Sequence, residues 1–375
     1  MHMQEIQAYI RQNGEQILED VKALVRCESP TTDRALANAC AHAIVELVDE
    51  RLGVPATVHE QQERGSHVCF TMGEGEEQIL LLCHYDTVWD KGRLVLRQEG
   101  DKLYGPGVLD MKSGLVACIW AMKVCQELNL PHKKLCLLCT SDEEVGSQTS
   151  RALIEQIAKE SVAVLCAEPA EAITGNLKTA RKGTSAYTVR IFGKAAHAGN
   201  DPKGGVSAVE EMAKQILYLH GLTDFEKGTT VNAGVASGGT RPNIIAEAAA
   251  LEIDVRTWTM EEAQRIDALI HGLKPTREGI RIEVEGGIGR PALELTEANQ
   301  ALFQTAQAVA GQLGLPLAGA AVGGGSDGNF TSAVGVPTLD GLGAVGDGPH
   351  AEREHIEVSK LLPRVMLLAG LISAL

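Results

Sequence analysis

The first part of the chain alternates between helical and extended patterns of hydrophobic residues. Residues 4–26 carry apolar side chains at helical spacing, which predicts one long amphipathic helix. A second helical pattern covers about residues 35–52, and short strand signals follow near 56–59 and 68–72. Helices followed by strands in this way indicate a mixed α/β domain.

A buried strand is predicted at Leu80-Leu-Leu-Cys83, and it leads into His84-Tyr-Asp86. Because residues i and i+2 of a strand point to the same face, His84 and Asp86 should lie side by side. Open α/β sheets bind their ligands beyond the carboxyl ends of the strands, where this pair would lie. A carboxylate beside an imidazole orients the ring for metal binding. A solvated histidine at a strand end explains a lone His-x-Asp equally well.

Further segments place acidic side chains after predicted strands or loops. A Gly- and Pro-rich loop ends at Asp110, just before a predicted helix, so Asp110 is either an N-cap or a metal ligand. A strand over about residues 134–140 precedes Glu143-Glu144, and the next predicted strand precedes Glu168. Adjacent glutamates cannot both be caps. Since their side chains project differently, one can bind a metal while the other faces a bound water.

Strand, helix and strand recur along this part of the chain, which indicates a mostly parallel sheet with helices on both faces. Each predicted strand end supplies a histidine or an acid, namely His84, Glu144 or Glu168. This convergence of polar side chains at one sheet edge favours a metal or catalytic site. His350, in a glycine-rich loop near the C-terminus, is either a further ligand or an exposed loop residue.

From about Lys182 the pattern changes to strands with one exposed face. The predicted order β-α-β-β-α-β is that of a ferredoxin-like α+β domain. We expect residues 182–289 to form this domain, inserted into a discontinuous first domain of residues 1–181 and 290–375. The predicted elements of the insert are strands at 185–191, 230–236, 243–256 and 280–284, and helices at 205–219 and 259–271.

The composition excludes several classes of partner. The net charge of −15 and the isoelectric point near 5.2 argue against nucleic acid or an anionic membrane. Apolar stretches are too short to span a membrane, and the first residues lack the pattern of a secretory signal, so we expect a cytoplasmic protein. The nine cysteines lie mostly in apolar runs, as reduced, buried thiols do. The pair Cys136 and Cys139 should serve core packing.

Five fragments, taken in order, resemble the M20 family of di-zinc peptidases and deacylases over nearly the whole chain. They are His84-Tyr-Asp86, Gly107-Val-Leu-Asp110-Met-Lys-Ser-Gly114, Asp142-Glu143-Glu144-Val-Gly-Ser147, Glu168-Pro169 and Pro349-His350. Less specific fragments favour the glutamate carboxypeptidase (carboxypeptidase G2-like) branch. They are Gly193-Lys-Ala-Ala-His197-Ala-Gly199, Arg241-Pro-Asn243-Ile244, Asp254-Val-Arg256 and Gly323-Gly-Gly-Ser-Asp-Gly328.

The resemblance implies a zinc-peptidase-like catalytic domain holding two Zn²⁺ ions, for which Co²⁺ or Mn²⁺ could substitute. Asp110 and a water or hydroxide would bridge the ions. The remaining ligands would be His84 and Glu168 on one ion, and Glu144 and His350 on the other.

The other site residues implied by the resemblance act on the substrate. Glu143 would be the general base and then the general acid, and Asp86 would hydrogen-bond His84. His197, from the lid domain of a partner subunit in a homodimer, would polarise the scissile carbonyl. A terminal carboxylate would be bound by Asn243, Arg256 and Arg290, with Lys178 and Lys182 as possible further contacts.

The implied function is hydrolysis of an amide bond next to an amino acid with a free carboxylate, most specifically the release of C-terminal glutamate from small peptides or N-acyl conjugates. An N-acyl-amino-acid deacylase of the acetylornithine deacetylase or aminoacylase type, or a dipeptidase, shares the same ligands. A catalytically inactive binding protein is a non-enzymatic alternative. Gly324-Gly-Ser326-Asp-Gly328 also satisfies the G-x-S-x-G pattern of a serine nucleophile, with His350 following in order.

Overall fold

The computed structural model describes residues 2–172 and 174–375. Their contacts divide the chain into two compact units. The first comprises the described residues up to Ala180 together with Leu295–Val322 and Ser326–Leu375. The second comprises Arg181–Glu294 and Gly323–Gly325.

The described residues form helices and strands in mixed order. The helices are α1 (His2–Gln12), α2 (Gly14–Arg26), α3 (Arg34–Leu52), α4 (Ser113–Glu127), α5 (Arg151–Lys159), α6 (Ala208–His220), α7 (Met260–His271), α8 (Glu297–Leu313), α9 (Gly328–Ala333) and α10 (Val358–Ala374). The strands are β1 (Ala56–His59), β2 (His67–Met72), β3 (Gln78–His84), β4 (Arg97–Glu99), β5 (Lys102–Tyr104), β6 (Lys134–Thr140), β7 (Ala163–Cys166), β8 (Leu177–Arg181), β9 (Gly183–Phe192), β10 (Thr230–Gly238), β11 (Ala248–Thr257), β12 (Arg281–Arg290), β13 (Gly319–Val322), β14 (Thr338–Leu339), β15 (Gly346–Asp347) and β16 (His355–Glu357).

The main sheet of the first unit has the order β1-β2-β6-β3-β7-β14. The pairs β6–β3, β3–β7 and β7–β14 are parallel, whereas β1–β2 and β2–β6 are antiparallel. The predicted mostly parallel sheet is therefore confirmed. Because crossover helices cover both faces of such a sheet, its central strands are apolar on both sides.

Strand β3 shows this double burial directly, since all seven of its residues are buried. Leu81 and Cys83 belong to the core beneath α4 and α10, and Leu80 and Leu82 belong to the core beneath α5 and α9. Cys136 and Cys139 likewise enter opposite cores, as their spacing in a strand predicts. All nine cysteines are free thiols.

The second unit is built on an antiparallel sheet of order β10-β11-β9-β12. Its element order is β9-α6-β10-β11-α7-β12, which is the ferredoxin-like arrangement. Apolar residues from the two helices and the sheet form its separate core, including Val189, Leu251 and Ile266. The opposite face of the sheet carries polar side chains such as Asp254 and Arg256.

Two predicted elements differ from the observed ones. The prediction of one long first helix is wrong, because α1 ends before Asn13 and α2 starts at Gly14. The Asn13 side chain donates a hydrogen bond to the Tyr9 carbonyl at this break. Strand β11 starts at Ala248, later than predicted, because residues 243–245 form hydrogen bonds with residues 196–198 instead.

The short strands β15, β16, β5 and β4 form a small sheet. The sequence pattern predicts a strand pair near residues 94–103, which is observed as β4 and β5, whereas β15 and β16 are too short to give a periodic signal. Across residues 2–172 and 174–375, no helix has both the length and the apolar character needed to cross a membrane.

Candidate active site

The parallel strands of the first unit bring several predicted site residues to one sheet edge. His84 is in register with Thr140 of β6, and Leu82 is in register with Cys166 of β7. Glu143-Glu144 and Glu168 follow these strands within four residues, so they leave the sheet near His84. A Cβ atom on Gly114 of α4 would lie 1.9 Å from the Ala167 carbonyl oxygen, so glycine allows this helix to approach the end of β7 closely.

His84 lies at the centre of the first cluster of donors. Its Nε2 is 3.1 Å from Asp110 Oδ1 and 3.4 Å from Glu168 Oε1. Its Nδ1 is 3.1 Å from the main-chain carbonyl oxygen of Asp86 and 3.4 Å from the Asp86 carboxylate. The Asp86 main chain therefore orients the ring at hydrogen-bond distance, and the carboxylate lies slightly farther away. Nε2 is thus directed at the two other acids.

His350 forms the second cluster. Its Nε2 lies 3.0 Å from Glu144 Oε2 and 3.5 Å from Asp110 Oδ2. Asp110 consequently presents one carboxylate oxygen to each histidine. One donor atom from each of His84, Asp110 and Glu144 lies within 4.8 Å of the others, so the two clusters are contiguous.

The spacing and chemistry of these donors fit transition-metal ions. Zinc accepts imidazole nitrogen and carboxylate oxygen, and its bonds of about 2.0–2.1 Å give tetrahedral donor–donor edges of about 3.3 Å. The donor pairs in both clusters are separated by 3.0–3.5 Å. Three carboxylates and two imidazoles converge, and bound divalent cations would compensate the negative charge of this set. The residues present therefore fit a metal site.

The two imidazoles, when protonated, offset part of the charge of the three carboxylates. Burial acts to lower the pKa of His84, but hydrogen bonds to Asp110 and its neighbouring acids outweigh burial and hold the pKa well above its ordinary value. Hydrogen bonds to Asp110 and Glu144 raise the pKa of His350 to about 10. A bound metal ion would displace these protons.

The carboxyl groups respond to burial and to these imidazoles in different proportions. Burial acts to raise the pKa of Asp110, but hydrogen bonds from His350 and His84 hold it well below its ordinary value. Burial raises the pKa of Glu144, and its hydrogen bond with His350 opposes the rise. Asp110 is therefore more firmly ionised than Glu144.

Asp86 fixes the segment that carries the two adjacent glutamates. It is fully buried and accepts hydrogen bonds from the main-chain N–H groups of Glu143 and Glu144, at 3.3 and 3.2 Å. The Thr31 hydroxyl donates a third bond to it at 2.8 Å. Glu143 begins a short 3₁₀ turn, Glu143–Val145, is half-buried, and directly precedes Glu144 in the chain.

Glu354 holds the loop that presents Asp110, a role that the sequence analysis missed. Gly107, at the start of this loop, has a left-handed φ of 69°, and an added Cβ would meet the Thr87 side chain at 2.6 Å. The buried Glu354 carboxylate accepts main-chain hydrogen bonds from Gly107, Leu109 and Asp110. The sequence places two glutamates just after His350 and offers no signal for choosing Glu354 between them.

The remaining predicted site residues lie mainly in the second unit. His197 and Asn243 are exposed and lie on neighbouring loops, joined by a hydrogen bond from the Ala198 N–H to the Asn243 carbonyl at 3.0 Å. The His197 Nδ1 accepts hydrogen bonds from the main-chain N–H groups of Gly199 and Asn200, at 3.1 and 3.0 Å. Its proton therefore resides on Nε2, which is available as a donor.

The predicted basic residues occupy different environments. Arg256 is half-buried and forms two hydrogen bonds with the Asp254 carboxylate on the same strand, at 2.9 and 3.0 Å. Arg290 is 8% exposed at the end of β12. Lys182 stacks over Trp258, with Nζ 5.2 Å from the ring centre. Burial and the nearby positive charge of Arg256 lower the pKa of Lys182. Lys178 belongs to the first unit, where its N–H bonds to the Asp340 carbonyl.

The serine-nucleophile alternative is contradicted by the environment of Ser326. Its side chain is fully buried, and its hydroxyl donates a hydrogen bond to the Asp340 carboxylate. The hydroxyl oxygen also accepts the Gly328 N–H at 3.1 Å, at the start of α9. Ser326 therefore anchors a helix instead of presenting a nucleophile to a substrate.

Comparison with known proteins shows which family the chain resembles. A family model described as Peptidase family M20/M25/M40 matches residues 80–374. The chain is 32% identical over 375 residues to carboxypeptidase G2 of Pseudomonas sp. (strain RS-16), covering 95% of this chain and 88% of that protein. It is 29% identical over 276 residues to acetylornithine deacetylase of Proteus mirabilis (strain HI4320), covering 68% and 70%.

The fold has counterparts among solved structures. The crystal structure of aminopeptidase PepT from Bacillus cereus ATCC 10987 aligns with a TM-score of 0.80 and 23% identity, covering 96% of this chain and 98% of that one. This likeness concerns the fold, whereas the family model and the sequence relatives concern the chain itself. The chain therefore belongs to peptidase family M20/M25/M40, as the ordered fragments predicted, and is a metallopeptidase-family hydrolase.

Proposed function

We propose that the protein is a carboxypeptidase that hydrolyses the amide bond before a C-terminal amino acid with a free carboxylate, with glutamate as the preferred residue. The observation that carries the proposal is the pair of donor clusters around Asp110, with the half-buried Glu143 directly before Glu144 in the chain. Similarity to carboxypeptidase G2 over 95% of this chain supports the carboxypeptidase assignment.

The proposed cofactor is a pair of Zn²⁺ ions. His84, Asp110 and Glu168 would hold one, and Asp110, Glu144 and His350 would hold the other, because each Asp110 oxygen faces a different histidine. Ions held there supply a Lewis acid and a water of lowered pKa. Co²⁺ or Mn²⁺ could use the same nitrogen and oxygen ligands.

Glu143 is the proposed proton carrier. Its main chain is fixed by Asp86, and its half-buried side chain belongs to the segment that also supplies Glu144. Its carboxylate would take the proton from the attacking water and deliver it to the amide nitrogen as the C–N bond breaks. The products would be a free amine on the leaving amino acid and a new carboxylate on the other fragment.

His197 is proposed to donate its Nε2–H to the scissile carbonyl oxygen. The two main-chain bonds to Nδ1 support this role, because they fix the tautomer that carries the proton on Nε2. In the family pattern this histidine comes from a partner subunit, so we propose a homodimer formed through the second unit.

The outer edge of the second unit supports such an interface. Strand β10 is an edge strand of its sheet, and unpaired edges favour pairing with another chain. Exposed apolar side chains lie on β10 and the adjacent α6, namely Val235 at 52%, Leu217 at 76% and Tyr218 at 45% exposure. Such a surface is typical of an association site.

Asn243, Arg256 and Arg290 are the proposed contacts of the substrate carboxylate. The planar guanidinium of Arg256 already binds a carboxylate with two bonds, in this case Asp254. A substrate carboxylate would compete for the same two donors. We further propose that the second unit is the inserted lid and dimerisation domain.

The decisive experiment varies the two halves of the substrate separately. N-acyl amino acids with one acyl group and different amino acids, and glutamate conjugates with different acyl groups, should show strong preference for C-terminal glutamate and tolerance of the acyl part. Indifference to the amino acid, together with a requirement for acetyl, would instead assign a deacylase, which the similarity to acetylornithine deacetylase favours as the second candidate. Absence of bound metal in the purified protein would favour a binding protein.

A further inference from the structure

Glu354 is a buried carboxylate surrounded by hydrogen-bond donors. It is 1% exposed. Its Oε1 accepts the N–H groups of Leu109 and Asp110 at 2.9 and 3.2 Å. Its Oε2 accepts the Gly107 N–H at 3.2 Å and the Trp89 indole N–H at 2.6 Å. Each oxygen therefore has two donors, and every donor lies in or before the loop that ends at Asp110.

Glu354 also belongs to the segment that presents His350. A hydrogen bond from the Glu354 N–H to the Ala351 carbonyl, at 2.8 Å, and one from the Ala351 N–H to the Gly348 carbonyl, at 3.0 Å, fold this segment into consecutive turns. His350 itself has a left-handed φ of 60° and is exposed, so its own side chain contributes little burial. The Glu354 carboxylate thus connects the segment of His350 to the segment of Asp110.

We propose that Glu354 is a positioning residue that sets the placement of Asp110 relative to His350 and thereby the affinity of the ion held by Asp110, Glu144 and His350. This inference rests on the proposed function, because it concerns the ion-binding clusters. Glu354 acts through main-chain hydrogen bonds and touches neither the substrate nor the ions. The His84–Glu168 side of Asp110 depends on strand ends instead, so it should be much less sensitive to Glu354.

Glutamine is a sharp probe at this position because it conserves shape. A carboxylate offers two acceptor oxygens, whereas an amide offers one oxygen and one NH₂ donor. In either orientation of Glu354→Gln, the NH₂ group would face two N–H donors. The substitution therefore breaks two hydrogen bonds and introduces repulsion without changing the packing volume.

The test is Zn²⁺ titration into metal-free full-length protein by calorimetry, with the melting temperature of each metal-free variant as a second readout. Wild type should bind two ions. Glu354→Gln should lower the affinity for the ion at Asp110, Glu144 and His350 by about 10- to 100-fold, the range found when supporting partners of metal ligands are removed. The affinity for the other ion should stay unchanged. The matched control is Glu352→Gln, an exposed glutamate paired with Arg93, which should behave as wild type.

A second variant distinguishes positioning from a general structural role. Trp89→Phe removes one of the donors that would face the new amide, so in the Glu354→Gln background it should restore part of the lost affinity. The inference would be overturned if Glu354→Gln lowered the affinities for both ions equally, or if its Zn²⁺ titration matched that of wild type. If wild type itself bound no metal, the proposed function would fail instead, and the two failures are distinguished by the wild-type titration.

Discussion

The two histidines of the candidate site both face the Asp110 carboxylate, but from opposite environments. His84 ends a fully buried central strand, and its side chain is 2% exposed. His350 lies in a loop, has a left-handed backbone conformation, and its side chain is 54% exposed. The sheet therefore holds one half of the site rigidly, whereas loop contacts hold the other.

This difference predicts unequal ion binding. A ligand that is already oriented by packing loses little conformational entropy when it binds an ion, whereas a loop ligand loses more. We therefore expect the ion at His84 and Glu168 to bind more tightly and to exchange more slowly than the ion at Glu144 and His350. Asp110 belongs to both halves and is the residue on which the comparison turns.

The largest effect is expected from Asp110→Asn, because this change affects both halves together. It weakens the shared ligand, so both ions should be lost on dialysis, and turnover should fall to the level of the metal-free protein. Metal content and kcat measured on the same preparation check this outcome. The control is Asp90→Asn at an exposed turn, which should retain both ions. Retention of one full ion by Asp110→Asn would show that the halves are independent.

Glu143→Gln should remove proton transfer while leaving both halves of the metal site intact. General acid–base residues typically contribute about 10²- to 10⁴-fold, so kcat should fall by that range at unchanged metal content. The neighbouring Glu144→Gln is the matched comparison and should lose one ion. If Glu143→Gln lost the ion and Glu144→Gln kept it, the two roles would have to be exchanged.

The contrast between the halves should also appear in the metal-free fold. His84→Ala removes one partner of a buried ion pair and should lower the free energy of unfolding by about 3–5 kcal/mol. His350→Ala removes a half-exposed imidazole from two largely buried carboxylates, so solvent screening at the imidazole should keep its cost below that of His84→Ala. Urea unfolding of the two metal-free variants measures the difference. Equal costs would contradict the assignment of a rigid and a loop-held half.

The same contrast explains what the sequence could predict. His84 follows an apolar run whose length and period identify a buried strand, and the strand ends before Glu143 and Glu168 give similar signals. Strand order and parallel pairing then bring these ends together, so their convergence is a consequence of the fold class. His350 has no such local signal, because its glycine-rich loop is compatible with either a ligand or an exposed loop residue, and only the family resemblance favours the ligand.

The contacts that hold the loops were not predictable in the same way. Glu354 bonds to main-chain groups almost 250 positions earlier, and Thr31 bonds to Asp86. Such bonds depend on tertiary placement and leave no periodic trace in the sequence. The break between α1 and α2 was missed for a related reason, because a one-residue interruption hardly changes helical periodicity.

The smallest expected effect concerns the pH dependence of the exposed half. In the metal-free protein the pKa of His350 is raised to about 10 from an ordinary value of 6.5, by hydrogen bonds to Asp110 and Glu144. Its imidazolium therefore stabilises the fold fully below about pH 6.5, and this contribution declines as the pH rises toward 10. Because the side chain is half exposed, solvent screening keeps the effect small. Metal-free His350→Gln should melt slightly below wild type at pH 6 and match it above pH 10, while a constant difference across this range would show that protonation of His350 is not the cause.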